Sequence, residues 1–184
     1  MPISSMPEQR QFHIHYYLTE LPDAENINAR IWEQYLQLRD GADLKRTHYF
    51  NGRYENIYVP EARMPALQPV LRAASQGAAD YLQGASTDLK VGFWFNEMGP
   101  GHVTLPHNHD EQDELVSGVY YVRVPPDSGR LVLRQGVTST WIEPVQGLFV
   151  FFAPDVIHEV TINDSDGIRL SIGMNFGPVA EDGG

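Results

Sequence analysis

The chain has no cysteine among its 184 residues. That excludes disulfides, iron–sulfur clusters, thiolate zinc sites and cysteine nucleophiles, and leaves any metal to His, Asp or Glu. It also fits a reducing compartment. No apolar run approaches the roughly 18 residues of a membrane span. The opening Met1-Pro2-Ile3-Ser4-Ser5 lacks the basic and apolar regions of an export signal, so a cytoplasmic protein off the membrane is expected. Positive charge is scarce: 13 Lys and Arg stand against 24 Asp and Glu, for a net charge of −11. Free nucleic acid and anionic bilayers would therefore be repelled. Internal repeats and low-complexity segments are absent too. Nothing fixes the oligomeric state, and a homodimer stays open. With 42% apolar residues the chain can bury a core of ordinary size. One domain over 1–184 is expected, with a supporting segment at 1–88, a core at 89–176 and a flexible Gly-rich acidic tail at 177–184.

What is present changes character near residue 89. Residues 11–18 alternate loosely and read as an opening strand that carries the pair His13-Ile14-His15. Asp23 is placed to cap a helix running to about Arg39, because Ile27, Ile31, Trp32, Tyr35 and Leu36 share one helical stripe and Asp40-Gly41 ends it. A second helix is expected over 67–82. Pro65 and Pro69 suit its start, Leu67, Leu71, Ala74, Ala78 and Tyr81 face inward, and Gly84 stops it. From there on, runs rich in Val, Tyr, Phe and Leu read as strands at 90–97, 115–124, 129–133, 141–143, 148–153, 158–162 and 168–176. Gly99-Pro100-Gly101, the stretch 125–129 and the stretch 144–147 mark tight connections. Two helices followed by seven or eight strands imply a mainly β, α+β chain: a double-stranded β-helix, or jelly-roll barrel, backed by two or so N-terminal helices.

Within this pattern His107-Asn108-His109 and His158 suggest a metal site. Neutral imidazole is the commonest ligand for first-row transition metals, and residues i and i+2 of an extended segment project to one side. The pair opens the strand at 115–124 and His158 opens another, and strand beginnings of this kind can meet at a barrel mouth. The alternative frame His109-Asp110-Glu111 would supply a carboxylate, Glu111, in place of an all-histidine set. His13, His15, His48 and His102 have no suitably spaced partner in the motif region and are read as non-ligands. The last strand adds a second signal. Period-two alternation sends Leu170, Ile172, Met174 and Phe176 one way and Arg169, Ser171, Gly173 and Asn175 the other. The second face offers a guanidinium, a hydroxyl, a gap and an amide, as the wall of a small polar cavity would. Arginine's planar fork takes a carboxylate in two parallel hydrogen bonds, and Ser171 can add a third donor.

The segments Phe93-Trp94-Phe95-Asn96, Pro106-His107-Asn108-His109, Ser117-Gly118-Val119-Tyr120-Tyr121-Val122, Ser128-Gly129-Arg130-Leu131, the run 147–152, His158 and Arg169-Leu170-Ser171-Ile172 with Asn175-Phe176 together resemble the 2-oxoglutarate/Fe(II) oxygenase family. The match spans about half the chain, and its ordered series is more specific than any single motif. The resemblance implies Fe(II) near the barrel mouth, held by His107, His109 and His158, and 2-oxoglutarate as co-substrate held by Arg169 and Ser171. Asn96, Tyr121 and Asn175 would complete the co-substrate pocket. The implied activity is that of a dioxygenase or hydroxylase on a small-molecule or side-chain substrate. One departure stands out: the family's usual His-x-Asp/Glu is here His-x-His, with Asp110 or Glu111 left to accept from the imidazole N–H groups. Cupins are also similar, through Gly101-x5-His107-x-His109-x4-Glu114 and Pro154-x3-His158, which would add Glu114 to the ligands. The Arg169/Ser171 pair and the segment 117–122 favour the oxygenase. A jelly-roll protein that merely binds a small anion is the third class.

Overall fold

Eight consecutive strands pass back and forth between two sheets, and that alternation builds the molecule. The computed structural model describes residues 13–84, 88–109 and 113–179. In chain order the elements are β1 (Tyr16–Glu20), α1 (Ala24–Leu38), β2 (Lys45–Phe50), β3 (Arg53–Tyr58), two 3-10 turns (Glu61–Arg63 and Pro65–Leu67) and α2 (Gln68–Tyr81). The barrel strands are β4 (Leu89–Met98), β5 (Thr104–His107), β6 (Val116–Arg123), β7 (Leu131–Gln135), β8 (Thr138–Ile142), β9 (Leu148–Phe152), β10 (Ile157–Val160) and β11 (Arg169–Pro178). The larger sheet runs β1-β9-β6-β11-β4-β3-β2 and the smaller β5-β10-β7-β8, with neighbours antiparallel throughout. The chain is thus a double-stranded β-helix, as the strand-rich second half led one to expect. None of its helices is long and apolar enough to cross a membrane, among the described residues.

Alternation along the strands divides the apolar residues into two layers. On β9 every residue is buried, because Phe149 and Phe151 face the helices while Leu148, Val150 and Phe152 face the barrel interior. On β11 Leu170, Ile172, Met174 and Phe176 join the helix-side core with Ile31 and Tyr35 of α1 and Val70, Leu71 and Ala74 of α2. The opposite face of β11 is left to the interior. Helix α1 is fixed to the sheet by polar contacts as well: the Tyr35 hydroxyl donates to Glu97 at 2.8 Å, and Tyr120 donates to Asn28 at 2.8 Å.

Several expectations need correction. The opening strand lies at Tyr16–Glu20, several residues later than 11–18, and 11–12 lie outside the described residues. Asp23 does flank α1, but with left-handed backbone (φ 57°) and no side-chain bond to a helix N–H; instead it accepts from Asn26 at 2.5 Å. The supporting segment contains a hairpin, β2–β3, as well as helices. The strand β5 was absent from the expected set, and β11 runs two residues past 176, so the tail is reduced to its last few residues, of which 180–184 lie outside the described set.

Candidate metal centre and its two cavities

His107 does not open the strand at 115–124. It ends β5, where it pairs directly with His158 of β10. His109 follows two residues later, and its backbone N–H donates to the carbonyl of Pro154 at 2.9 Å, tying this segment to the β9–β10 connection. The three imidazoles converge. One ligand atom of each lies within 4.8 Å of the others, and their ring centroids are 4.2 to 5.1 Å apart.

The rings are oriented by the backbone. Nδ1 of His107 lies 2.8 Å from the carbonyl of Leu105, and Nδ1 of His158 lies 3.1 Å from that of Val156. A carbonyl can only accept, so both Nδ1 atoms carry the proton and both Nε2 lone pairs are free for a metal. Burial keeps His109 and His158 neutral. The His158 ring is pushed down to about 3, first by desolvation and then by His107. The His109 ring is pushed down to about 4 by desolvation, followed by His107 and His48. Convergent imidazoles, two of them desolvated and two with lone pairs oriented by backbone carbonyls, suit a divalent transition metal, and the set is all-nitrogen among the described residues. Glu114 lines the neighbouring cleft but is not in the cluster, while Glu111 and Asp110 lie outside the described residues. His13 is exposed, His15 stacks on Tyr81 at 4.9 Å, and His102 accepts from the Gly99 N–H at 2.9 Å; none of them joins the cluster.

Two cavities meet at these histidines. An outer cleft of about 370 Å³ and an inner cavity of about 50 Å³ share Trp94, Asn96, Thr104, His107 and His109 as a common wall. The inner cavity adds His158, Ser117, Arg169 and Ser171. Arg169 is 1% exposed, the largest fully buried side chain, and no carboxylate among the described residues lies within ion-pair distance. Its Nη1 donates to the carbonyls of Ser128 at 3.2 Å and Gly129 at 2.8 Å, and its Nε is buried without a partner. Tyr121 stands behind the guanidinium, with its ring centroid 5.1 Å from Cζ. Burial raises the Tyr121 phenol, so it stays neutral, and its hydroxyl is also orphaned. The Asn96 Oδ1 is a third buried polar atom without a partner. A lone buried guanidinium is costly unless an anion satisfies it, so this wall suits a carboxylate ligand. Asn175 differs from the rest: it lines the outer cleft and accepts from Ser117 at 3.1 Å.

No protein-family model matches the sequence, and no curated protein matches it. Solved structures do. A prolyl-4-hydroxylase from Pseudomonas putida superposes with a TM-score of 0.71 at 22% identity, covering 91% of this chain and 94% of that one. The fold is that of the 2-oxoglutarate/Fe(II) oxygenases. SnoK, a non-heme α-ketoglutarate-dependent carbocyclase of nogalamycin biosynthesis, gives 0.68 at 17% identity over 90% of this chain and 80% of its own. An oxidoreductase of the 2OG-Fe(II) oxygenase family from Burkholderia pseudomallei gives 0.66 at 15%, over 88% and 85%.

On this oxygenase fold, reading the sequence alone missed Thr104, the carbonyls of Ser128 and Gly129 that hold Arg169, and His48, which lines the outer cleft. The gap at Gly173 has a definite cause. Gly173 pairs with Trp94 across β11 and β4, and a Cβ there would sit 2.5 Å from the indole. Gly173→Ala should drive Trp94 out of the wall shared by the two cavities and cost about 1–3 kcal/mol of stability. Denaturant unfolding checks the loss; a midpoint unchanged from wild type would mean that the indole can move freely.

Proposed function

We propose that this protein is a 2-oxoglutarate- and Fe(II)-dependent dioxygenase that hydroxylates a small molecule or side chain, working as a single domain in the reducing cytoplasm that a cysteine-free composition suits. The reading rests on one coincidence: three convergent imidazoles at the meeting of an open cleft and an inner cavity that contains a buried arginine with no carboxylate partner among the described residues. In this reading His107, His109 and His158 hold the iron through Nε2. Arg169, with Ser171 beside it, takes the distal carboxylate of 2-oxoglutarate in the inner cavity. When bound, iron and 2-oxoglutarate supply the activation of O2, with the oxo acid converted to succinate and carbon dioxide.

The chain's own groups do the rest. The carbonyls of Leu105 and Val156 fix the tautomers of His107 and His158, so ligand geometry is set before metal arrives. The Ser128 and Gly129 carbonyls aim the guanidinium fork, and the Tyr121 ring backs it. Phe152, packed at 4.9 Å from the His158 ring, and Trp94, at 5.5 Å from the His109 ring, keep water from the inner side. The outer cleft is left for the primary substrate.

Anaerobic titration with Fe(II) and then 2-oxoglutarate tests the reading. A visible metal-to-ligand charge-transfer band is expected when the oxo acid is added to the iron-loaded protein. A second reading, a cupin-type enzyme that uses no oxo acid, draws on the all-imidazole cluster. Bound metal without the band would favour it and count against the oxygenase.

A further inference from the structure

His48 sits where no sequence pattern would send a functional histidine, in the middle of an edge strand. Its backbone is left-handed, with φ 58°. The β2–β3 register is the same on either side of this residue, Thr47 opposite Asn56 and Tyr49 opposite Tyr54, so no residue is inserted and within β2 the distortion lies in the backbone of His48 itself. A left-handed non-glycine residue costs on the order of 1–3 kcal/mol that the surroundings must offset, and such residues cluster at binding and active sites. Here the ring lines the outer cleft with Trp94 and His109, close enough that its charge would act on His109.

The hydrogen bonds around this ring are opposite in sense to those of the metal-facing histidines. Nδ1 of His48 lies 3.2 Å from the Asn56 amide nitrogen, a donor, and 2.9 Å from the Thr47 hydroxyl. An Nδ1 that accepts leaves the ring proton on Nε2. His107 and His158 present an Nε2 lone pair, suited to a metal; His48 presents an Nε2–H, suited to an oxygen acceptor. The charged groups of the cleft narrow the partner further. Among the described residues its wall includes Glu114 and Glu55, the latter paired with Arg53 at 3.1 Å, and no Lys or Arg lines it, while Trp94 and Tyr58 give it an aromatic side. Apart from the metal itself, an anionic group would meet no cationic side chain on that wall among the described residues.

We infer that His48 is a substrate-binding residue of the outer cleft, donating from Nε2 to a carbonyl or hydroxyl oxygen of an uncharged or cationic substrate held between it and the metal centre. The inference rests on the proposed metal site, and its test separates the two. Mn(II) is bound first and followed by its own paramagnetic resonance. Line broadening of N-acetylglycinamide, a neutral amide, and of N-acetylglycinate, its anionic counterpart, is then measured by NMR in the presence of 2-oxoglutarate. The amide should be broadened and the acid much less. His48→Asn keeps a residue that tolerates left-handed backbone but removes the Nε2 donor, and should weaken amide binding by about fivefold to tenfold with Mn(II) affinity unchanged. His48→Gln, whose longer amide carries an N–H out to where Nε2 stood, should restore part of it. Equal amide binding in His48→Asn and wild type would overturn the role of His48. Failure to bind the amide, or binding the acid equally well or better, would overturn the substrate class. Failure of Mn(II) to bind the wild-type chain would remove the metal-site reading, and this inference with it.

Discussion

Arg169→Ala should lose 2-oxoglutarate binding by about 100-fold or more while changing metal affinity by no more than about threefold. The magnitude follows from burial. Truncating one member of a desolvated, hydrogen-bonded charge pair costs about 2–5 kcal/mol, which is tens to thousands of fold in affinity. Arg169 is 1% exposed, is orphaned at Nε and has no carboxylate partner among the described residues, so its charge is left for an incoming carboxylate to neutralise. Metal affinity is spared because the ligand rings take their orientation from the carbonyls of Leu105 and Val156, which Arg169 does not touch. Folding works in an unusual direction here. An unpaired buried guanidinium opposes the apo fold, since burial pulls it below its ordinary value, whereas the carbonyls of Ser128 and Gly129 would lose their donor in the variant. The two effects oppose each other, so the apo variant should unfold within about 1–2 kcal/mol of wild type. Arg169→Lys keeps the charge but lacks the planar fork and should fall between the two. The same anaerobic titration reads all three proteins. An undiminished charge-transfer band in Arg169→Ala would sink the assignment of this residue to the co-substrate.

The sequence disclosed the barrel more readily than the site, for physical reasons that differ from strand to strand. The strands β6, β9 and β11 are central to the large sheet, and burial on both faces writes itself as runs such as Leu148-Phe149-Val150-Phe151-Phe152. β11 could be read face by face, since Arg169 and Ser171 point to the interior and Leu170 and Ile172 to the helices. β5 could not. Leu105-Pro106 looks like a loop because proline breaks a ladder, but β5 is the edge of the small sheet, where a missing N–H faces outward at little cost. The pairing of His107 with His158 across that edge joins residues about fifty apart, and no local pattern carries such a register. The β2–β3 hairpin went unread, although Asn51-Gly52 is a strong short-range turn signal. Its flanks, Lys45-Arg46-Thr47-His48, lack the apolar alternation that would have made the signal persuasive, because this hairpin forms a cleft wall at the sheet edge. His48 was hidden twice over, by a polar strand and by a left-handed backbone that only the three-dimensional structure reveals.

His158→Leu should abolish tight metal binding and, in the metal-free protein, flatten the dependence of stability on acid. The first effect is the loss of one of three ligands, and it should exceed the 10–100-fold that altering a ligand's outer partner typically costs. The second follows from proton linkage. His158 titrates near 3 in the folded chain and near its ordinary value of 6.5 when unfolded. Between those values the unfolded state binds more protons, so stability rises with pH. The contribution of the neutral ring is complete above about pH 6.5 and is lost as pH falls toward 3, on the order of 3 kcal/mol by pH 4. His109, shifted to about 4, adds to the loss with the same sign. A leucine in place of His158 cannot take up a proton in either state, so its share of the slope disappears while that of His109 remains. Urea unfolding of both apo proteins between about pH 7 and pH 4 measures the difference. Metal reverses the comparison: saturation at about 100 times Kd adds about 2.7 kcal/mol to a chain that binds it, and nothing to His158→Leu. A variant that still gained stability from metal, or whose apo stability fell as steeply with acid as wild type, would show that His158 is neither a ligand nor the buried neutral imidazole that its surroundings make it.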